Sequence, residues 1–228
     1  MIKIHDLSVA FNTKTVLDSI HIEAETPHII GIAGLNGAGK STFFNALSGI
    51  IKTEKGTITQ HGLPVDFKQI AYLETNNFFY SNITGNEYLN IFKASNLQFD
   101  LGVIQDYFKL PLDDLIESYS TGMKKKLALL AVLKQDKSIY LFDEPFNGLD
   151  MESNKILEWI ISALYTKGKT IFISSHIIDP LLSICHKIIY LEQGSITQTF
   201  NKNEFENVEE AIFGKLKQQA QQRIQDAV

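Results

Sequence analysis

The sequence predicts an α/β protein built around a mostly parallel core sheet. Three observations carry that expectation. A compact apolar run, His28 to Ala33, feeds a glycine-rich loop and then a helical segment, as a buried strand does. A second apolar run, Ser138 to Phe142, delivers two adjacent carboxylates, Asp143 and Glu144, at its end. Strands and helical patterns alternate through the second half, which argues for parallel βαβ units.

In chain order, Val9 to Phe11, Ile20 to Ile22 and the β-branched Thr57 to Thr59 read as short strands separated by turns. Ser41 to Leu47 reads as a helix closed by Gly49. Gln69 to Leu73 is a further strand. Between about 76 and 135 helical patterns take over: Asn86 to Ala94, Gly102 to Phe108 and Ser120 to Lys134. After the carboxylates, Ile156, Leu157, Ile160, Ile161 and Leu164 recur at helical spacing and give one apolar face. Thr170 to Ser174 and Lys187 to Leu191 are strands, and the turn Gln193-Gly194-Ser195 leads into a last one, Ile196 to Phe200. The polar, Gln-rich stretch from about 203 to 228 reads as an exposed C-terminal helix. One domain is expected over 1–228, with a helical subdomain at about 76–135.

Composition narrows the function. Hydrophobic residues make up 44% and charged residues 21%, which excludes low-complexity disorder. The formal charge of −5 argues against a generic nucleic-acid binder. The cations are lysines apart from Arg223, so a phosphate site must use Lys and backbone amides rather than planar guanidinium groups. The lone Cys185 makes no internal disulfide and fits a reducing compartment. The longest apolar runs, such as Leu127 to Leu133, are far shorter than the roughly 18 residues of a membrane span. The start, Met-Ile-Lys-Ile-His-Asp, has no leader pattern, so a cytoplasmic chain is expected.

The strongest motif is Gly34-Leu35-Asn36-Gly37-Ala38-Gly39-Lys40-Ser41-Thr42. It matches the phosphate loop of P-loop NTPases, G-x-x-x-x-G-K-[ST], and lies between a predicted strand and a predicted helix. Glycines let successive N–H groups turn toward an anion, and the helix N-terminus adds its dipole. Lys40 is expected on the β- and γ-phosphates of ATP, and the Ser41 hydroxyl on Mg²⁺. At the second apolar strand, Asp143 would hold Mg²⁺ directly or through water. Glu144 is the candidate general base.

The segment Tyr119-Ser120-Thr121-Gly122-Met123, with Gly122 lying 21 residues before Asp143, resembles the signature loop of ATP-binding cassette (ABC) transporters in its S-x-G-M form. Ser120 is suited to cap the following helix, and Gly122 to let backbone approach closely. Lys124-Lys125-Lys126 reads as a solvated face. The resemblance extends to about residue 200. It implies a P-loop NTPase with an N-terminal antiparallel β subdomain and a small helical subdomain. It implies a head-to-tail dimer, homo- or heterodimeric, with ATP between one subunit's phosphate loop and Ser120 and Gly122 of the other. It implies permease subunits in the membrane, reached from its inner face.

Further positions follow from the same resemblance. Phe11 stands where the family places an aromatic on adenine. Asn147-Gly148-Leu149-Asp150 resembles the loop that touches the partner subunit, and Asp150 is also placed to cap the next helix. His176 resembles the switch histidine that contacts the γ-phosphate and holds water with Glu144. One departure is visible. The family usually carries a glutamine after the strand Gln69 to Leu73, where this chain reads Leu73-Glu74-Thr75-Asn76-Asn77. An ungapped alignment puts Thr75 there, and Glu74 serves if the loop shifts by one. The expected activity is ATP hydrolysis powering an exporter, a direction suggested by the S-x-G-M form and by the absence of a long C-terminal addition. The alternatives are a soluble ABC-type ATPase, or a regulatory one with weak turnover.

Overall fold

A computed structural model describes residues 1–93 and 100–214. Two sheets and a set of helices make up the fold. The N-terminal sheet is antiparallel, in the order β2-β1-β4-β5. Its strands are β1 (Ile2–Phe11), β2 (Lys14–Ala24), β4 (Lys55–Gln60) and the two-residue β5 (Leu63–Pro64). The main sheet has the order β10-β9-β3-β8-β7-β6. It comprises β3 (Ile29–Ala33), β6 (Ile70–Leu73), β7 (Ile139–Asp143), β8 (Thr170–Ser175), β9 (Lys187–Glu192) and β10 (Ser195–Asn201). All neighbours in it are parallel except β10, which pairs antiparallel with β9 at the edge.

Every residue of β3, β7 and β8 is buried, as expected of central strands covered on both faces. Side-chain alternation divides them between two cores. Ile30, Ile32, Ile139, Leu141 and Phe172 face the antiparallel sheet and helix α1 (Lys40–Leu47), packing on Phe43 and Phe44. Tyr140, Phe142, Ile171 and Ile173 face the other way, toward α4 (Thr121–Lys134) and α5 (Met151–Thr166). On that face Gly31 of β3 leaves room for Cys185, whose Sγ would lie 3.0 Å from any Cβ placed there. Burial raises the Cys185 thiol well above its ordinary pKa.

Between β6 and β7 the described residues form α2 (Gly85–Ile91), α3 (Leu101–Phe108) and α4. A capping box starts α2: the Thr84 N–H donates to Glu87 Oε2 at 2.7 Å, and the Glu87 N–H to Thr84 Oγ1 at 3.2 Å. α2 is shorter than predicted, because Phe92 is extended; Ala94 lies outside the described residues. Among the described residues two elements are additional to the sequence reading, besides the 3-10 turns Phe67–Gln69 and Ile116–Ser118. One is β5. The other is α6 (Asp179–Ile184), too short for a helical period but marked by Pro180 in its first turn. Of the expected C-terminal helix, Lys202–Asn207 form a 3-10 segment capped by Asn201, and residues 208–214 are helical. The remainder lies outside the described residues, as does Arg223.

Candidate functional site

The loop between β3 and α1 forms one wall of a cavity of about 450 Å³. Phe43 is the first N–H of α1 to reach a helical acceptor, Gly39 O at 2.8 Å. The three N–H groups before it, on Lys40, Ser41 and Thr42, have no acceptor among the described residues, and no side chain caps the helix. All three residues line the cavity, with Asn36, Gly37 and Gly39. This is an anion-binding helix start, and it fits a polyphosphate. The loop itself is pinned, with Ala38 N–H donating to Leu35 O at 3.1 Å and Gly194 N–H to Ala38 O at 3.0 Å. Gly34 is needed there because a Cβ would lie 2.5 Å from Leu191 O. Gly39 takes φ +109°, a conformation that side-chain-bearing residues rarely adopt.

Lys40 is buried and reaches back along its own loop. Its Nζ donates to Gly34 O at 2.7 Å and lies 3.1 Å from Glu144 Oε1. Glu144 stands just past β7 with φ +48°, a left-handed conformation that a glutamate adopts only when its surroundings fix it. Ser174 of β8 supplies part of that fixing: its Oγ accepts the Glu144 N–H at 2.9 Å and donates to Asp143 Oδ1. The other Glu144 oxygen, Oε2, is 2.9 Å from His176 Nδ1 and accepts the His176 N–H at 3.3 Å. With the carboxylate ionised, Nδ1 must carry the proton, which leaves Nε2 as the free end of the ring. Glu144 Oε1 is enclosed and takes the Lys40 charge at ion-pair distance without a directed hydrogen bond.

The cavity therefore gathers Asn36, Gly37, Gly39, Lys40, Ser41, Thr42, Glu144 and His176 from the sequence-predicted site. Leu35 and Ala38 face a smaller neighbouring cleft against Tyr190 and Leu191. Gly34 underlies the loop. Asp143 is almost fully buried behind the cavity wall. Burial, and then the Asp143 charge, push the nearby Tyr72 hydroxyl far above its ordinary pKa. Ser41 and Asp143 are hard oxygen donors suited to Mg²⁺, which would complete its shell with phosphate oxygens and water. Among the described residues no cluster of three His, Cys, Asp or Glu could hold a metal by itself.

Four other expected residues lie apart from the cavity. Phe11 ends β1 half-exposed, and it is Val16 of β2 that lines the cavity. Ser120 caps α4, its Oγ accepting the Met123 N–H at 3.2 Å. Gly122 passes so close to the loop after β7 that a Cβ would meet Gly148 O at 2.9 Å. Asp150 caps α5 through the Ser153 N–H at 2.8 Å and pairs with Lys126 at 3.1 Å. The Ser153 backbone and hydroxyl, then Lys126, hold its carboxyl well below the usual carboxylate range.

The structure corrects the solvated reading of Lys124-Lys125-Lys126. Lys125 is only 6% exposed, because it lies on the same side of α4 as the core-facing leucines, and Lys126 is tied to Asp150. Two cavity residues escaped the sequence reading of the site: Val16, and Asn147 as a wall residue. Thr75, and not Glu74, faces the cavity, with its hydroxyl 3.5 Å from the Asp143 carbonyl oxygen.

A phosphate loop on a parallel sheet, with the paired carboxylates at the end of β7, two strands away across β8, defines a P-loop nucleotide-binding protein. Residues 17–147 match the family model described as ABC transporter. The chain belongs to that family, as an ATP-binding subunit. It is 27% identical to the ABC transporter ATP-binding protein YtrB of Bacillus subtilis over 213 residues, 90% of this chain and 73% of that protein. It is 30% identical to the ABC transporter ATP-binding protein NatA of the same organism over 222 residues, covering 86% of this chain and 87% of NatA. The solved structure of an ATP-binding subunit of an ABC transporter shares the fold, with a TM-score of 0.81, 24% identity and 93% of each chain covered.

Proposed function

We propose that the chain hydrolyses Mg·ATP and that the hydrolysis drives a transporter through closure and opening of a dimer. The observation that carries the proposal is the placement of Glu144 between Lys40 and His176 at the end of the phosphate loop's cavity. The amides of Gly37, Gly39, Lys40, Ser41 and Thr42 bind the phosphates, and Lys40 neutralises their charge. Phe11, on the hairpin whose Val16 lines the cavity, packs against adenine. Ser41 and Asp143 would hold Mg²⁺, which would supply positive charge to the phosphates. Glu144 orients the attacking water and accepts its proton. His176 holds Glu144 through Nδ1 and presents its other ring nitrogen toward the γ-phosphate. Most of the rate enhancement is positioning and preorganised charge.

Ser120 and Gly122 do not line their own subunit's cavity, which fits their serving a second nucleotide-binding subunit. Loss of the γ-phosphate contacts then lets the pair separate, and permease subunits at the inner face of the membrane take up that motion. No described helix is long and apolar enough to cross a membrane. The Ser120-Thr121-Gly122-Met123 form of the signature favours export. Glu144→Gln tests the reading: it should retain Mg·ATP in a direct titration, lose about 100-fold or more in phosphate release and accumulate as a closed dimer. Wild-type turnover in that variant would remove Glu144 from the base role. A second reading, a regulatory subunit with weak turnover, draws on Thr75 standing where the family glutamine is expected. Steady-state phosphate release by the unaltered chain separates the two.

A further inference from the structure

Lys125 is the one member of the lysine run that turns inward. It projects from α4, the helix that begins at the signature loop, and its Nζ donates to the Glu74 carbonyl oxygen at 3.3 Å. That carbonyl also accepts from Asn77 Nδ2 at 3.1 Å, so two donors hold the turn that follows β6. The next residue, Thr75, lines the cavity and reaches the Asp143 carbonyl. A chain of contacts thus runs from the signature helix, through Lys125 and the Glu74–Thr75 peptide, to the carboxylate end of β7.

A buried ammonium is costly unless something compensates it. Glu74 O is the only protein acceptor of Lys125 among the described residues, although an ammonium carries three donors. The compensation is electrostatic: burial pushes Lys125 down to about 8, while Asp143 and Glu144 pull it back up. The group is cationic at neutral pH and lies in the field of the two carboxylates. An ordinary core position on α4 would be filled by an apolar residue, as Leu127, Leu129 and Leu130 show, so the lysine is a departure that the packing alone does not require.

We propose that Lys125 is a positioning residue for hydrolysis: its ammonium ties the signature helix to the Glu74 carbonyl and so holds Thr75 at the cavity wall beside the carboxylates of β7. The chain of contacts links α4 to the wall beside which the attacking water is held. The activity readout rests on the ATPase reading above, and the tether has a readout of its own.

Lys125→Met and Lys125→Arg test this in the full chain. Lys125→Met should lose about 10- to 100-fold in kcat, the scale expected for misplacing a catalytic wall. KM and the Kd for Mg·ATP should stay within about twofold. Amide hydrogen exchange across residues 72–80 should speed up in the same variant. Lys125→Arg, which keeps charge and donors, should restore kcat to within about threefold of wild type and slow that exchange again. Should Lys125→Met prevent folding, Lys125→Gln carries the same comparison. Unchanged exchange at 72–80, or a kcat kept alongside a raised KM, overturns the proposal. A wild-type chain that releases no phosphate would sink the ATPase reading instead, and the exchange comparison would still decide the tether.

Discussion

His176 Nδ1 lies 2.9 Å from Glu144 Oε2, and the histidine's own N–H reaches the same oxygen at 3.3 Å. One residue therefore grips the carboxylate twice, by ring and by backbone. His176→Ala removes only the ring contact. Glu144 should keep its place through Ser174 and the backbone bond, so Mg·ATP affinity should change little, while turnover should fall about 100-fold. Parallel measurement of Kd and kcat checks this, and a comparable loss of affinity would count against a role confined to hydrolysis.

Ser174 joins the two carboxylate residues, accepting from the Glu144 N–H and donating to Asp143 Oδ1 in a fully buried setting. Ser174→Ala strands both groups. The expected loss is about 1–3 kcal/mol of stability, read by urea unfolding, with turnover reduced as Glu144 relaxes from its left-handed backbone. A variant of unchanged stability would mean the two groups find other partners.

Thr75 faces the cavity and Glu74 does not. The expectation that Glu74 takes over part of the family glutamine's role is therefore the weaker side of the alignment. Glu74→Ala should leave phosphate release within about twofold, since only its carbonyl is engaged. Thr75→Gln should raise it. The opposite pattern would put the Glu74 carboxylate in the reaction.

Two histidines meet at the other end of the sheet from the cavity. His28 and His186 rings are 5.0 Å apart, and His186 Nδ1 accepts the Ile29 N–H at 3.1 Å, which requires that nitrogen to be unprotonated. Burial is the main cause lowering both below the ordinary histidine value; Lys187 adds to it at His28, against an opposing Glu25, and His28 and Lys202 add to it at His186. A depressed histidine binds its proton more readily in the unfolded chain. Stability is thus full above the unfolded value near 6.5 and falls as pH drops from there toward the lower folded values. Thermal unfolding at pH 7.5 and 5.5 should show a lower Tm at the acid end, and His186→Asn should flatten the difference.

The phosphate loop and the carboxylate strand were legible because each is a local pattern: a fixed spacing of glycines, or an apolar run ending in acid. The antiparallel sheet, the parallel order and the helical subdomain follow from periods and from the family resemblance. What stayed hidden is non-local. Val16 and Asn147 reach one cavity from two separate segments, and no spacing in the chain announces that meeting; Thr75 is marked only through the family resemblance. Lys125 was misread for a different reason. Three consecutive lysines describe a polar surface, yet successive positions on a helix point about 100° apart, and the middle one falls on the side where Ala128 and Leu129, one turn on, are buried.

Cys185 sits sealed beneath the sheet where Gly31 makes room for it, with its proton held tightly. The chain's native thiol is thus inert toward maleimides and mild oxidants in the folded state. A cysteine introduced on the surface, at the signature loop or at the tip of the β1–β2 hairpin, would be the sole reactive handle. Crosslinks and spectroscopic labels placed there would report subunit approach free of background from the parent sequence.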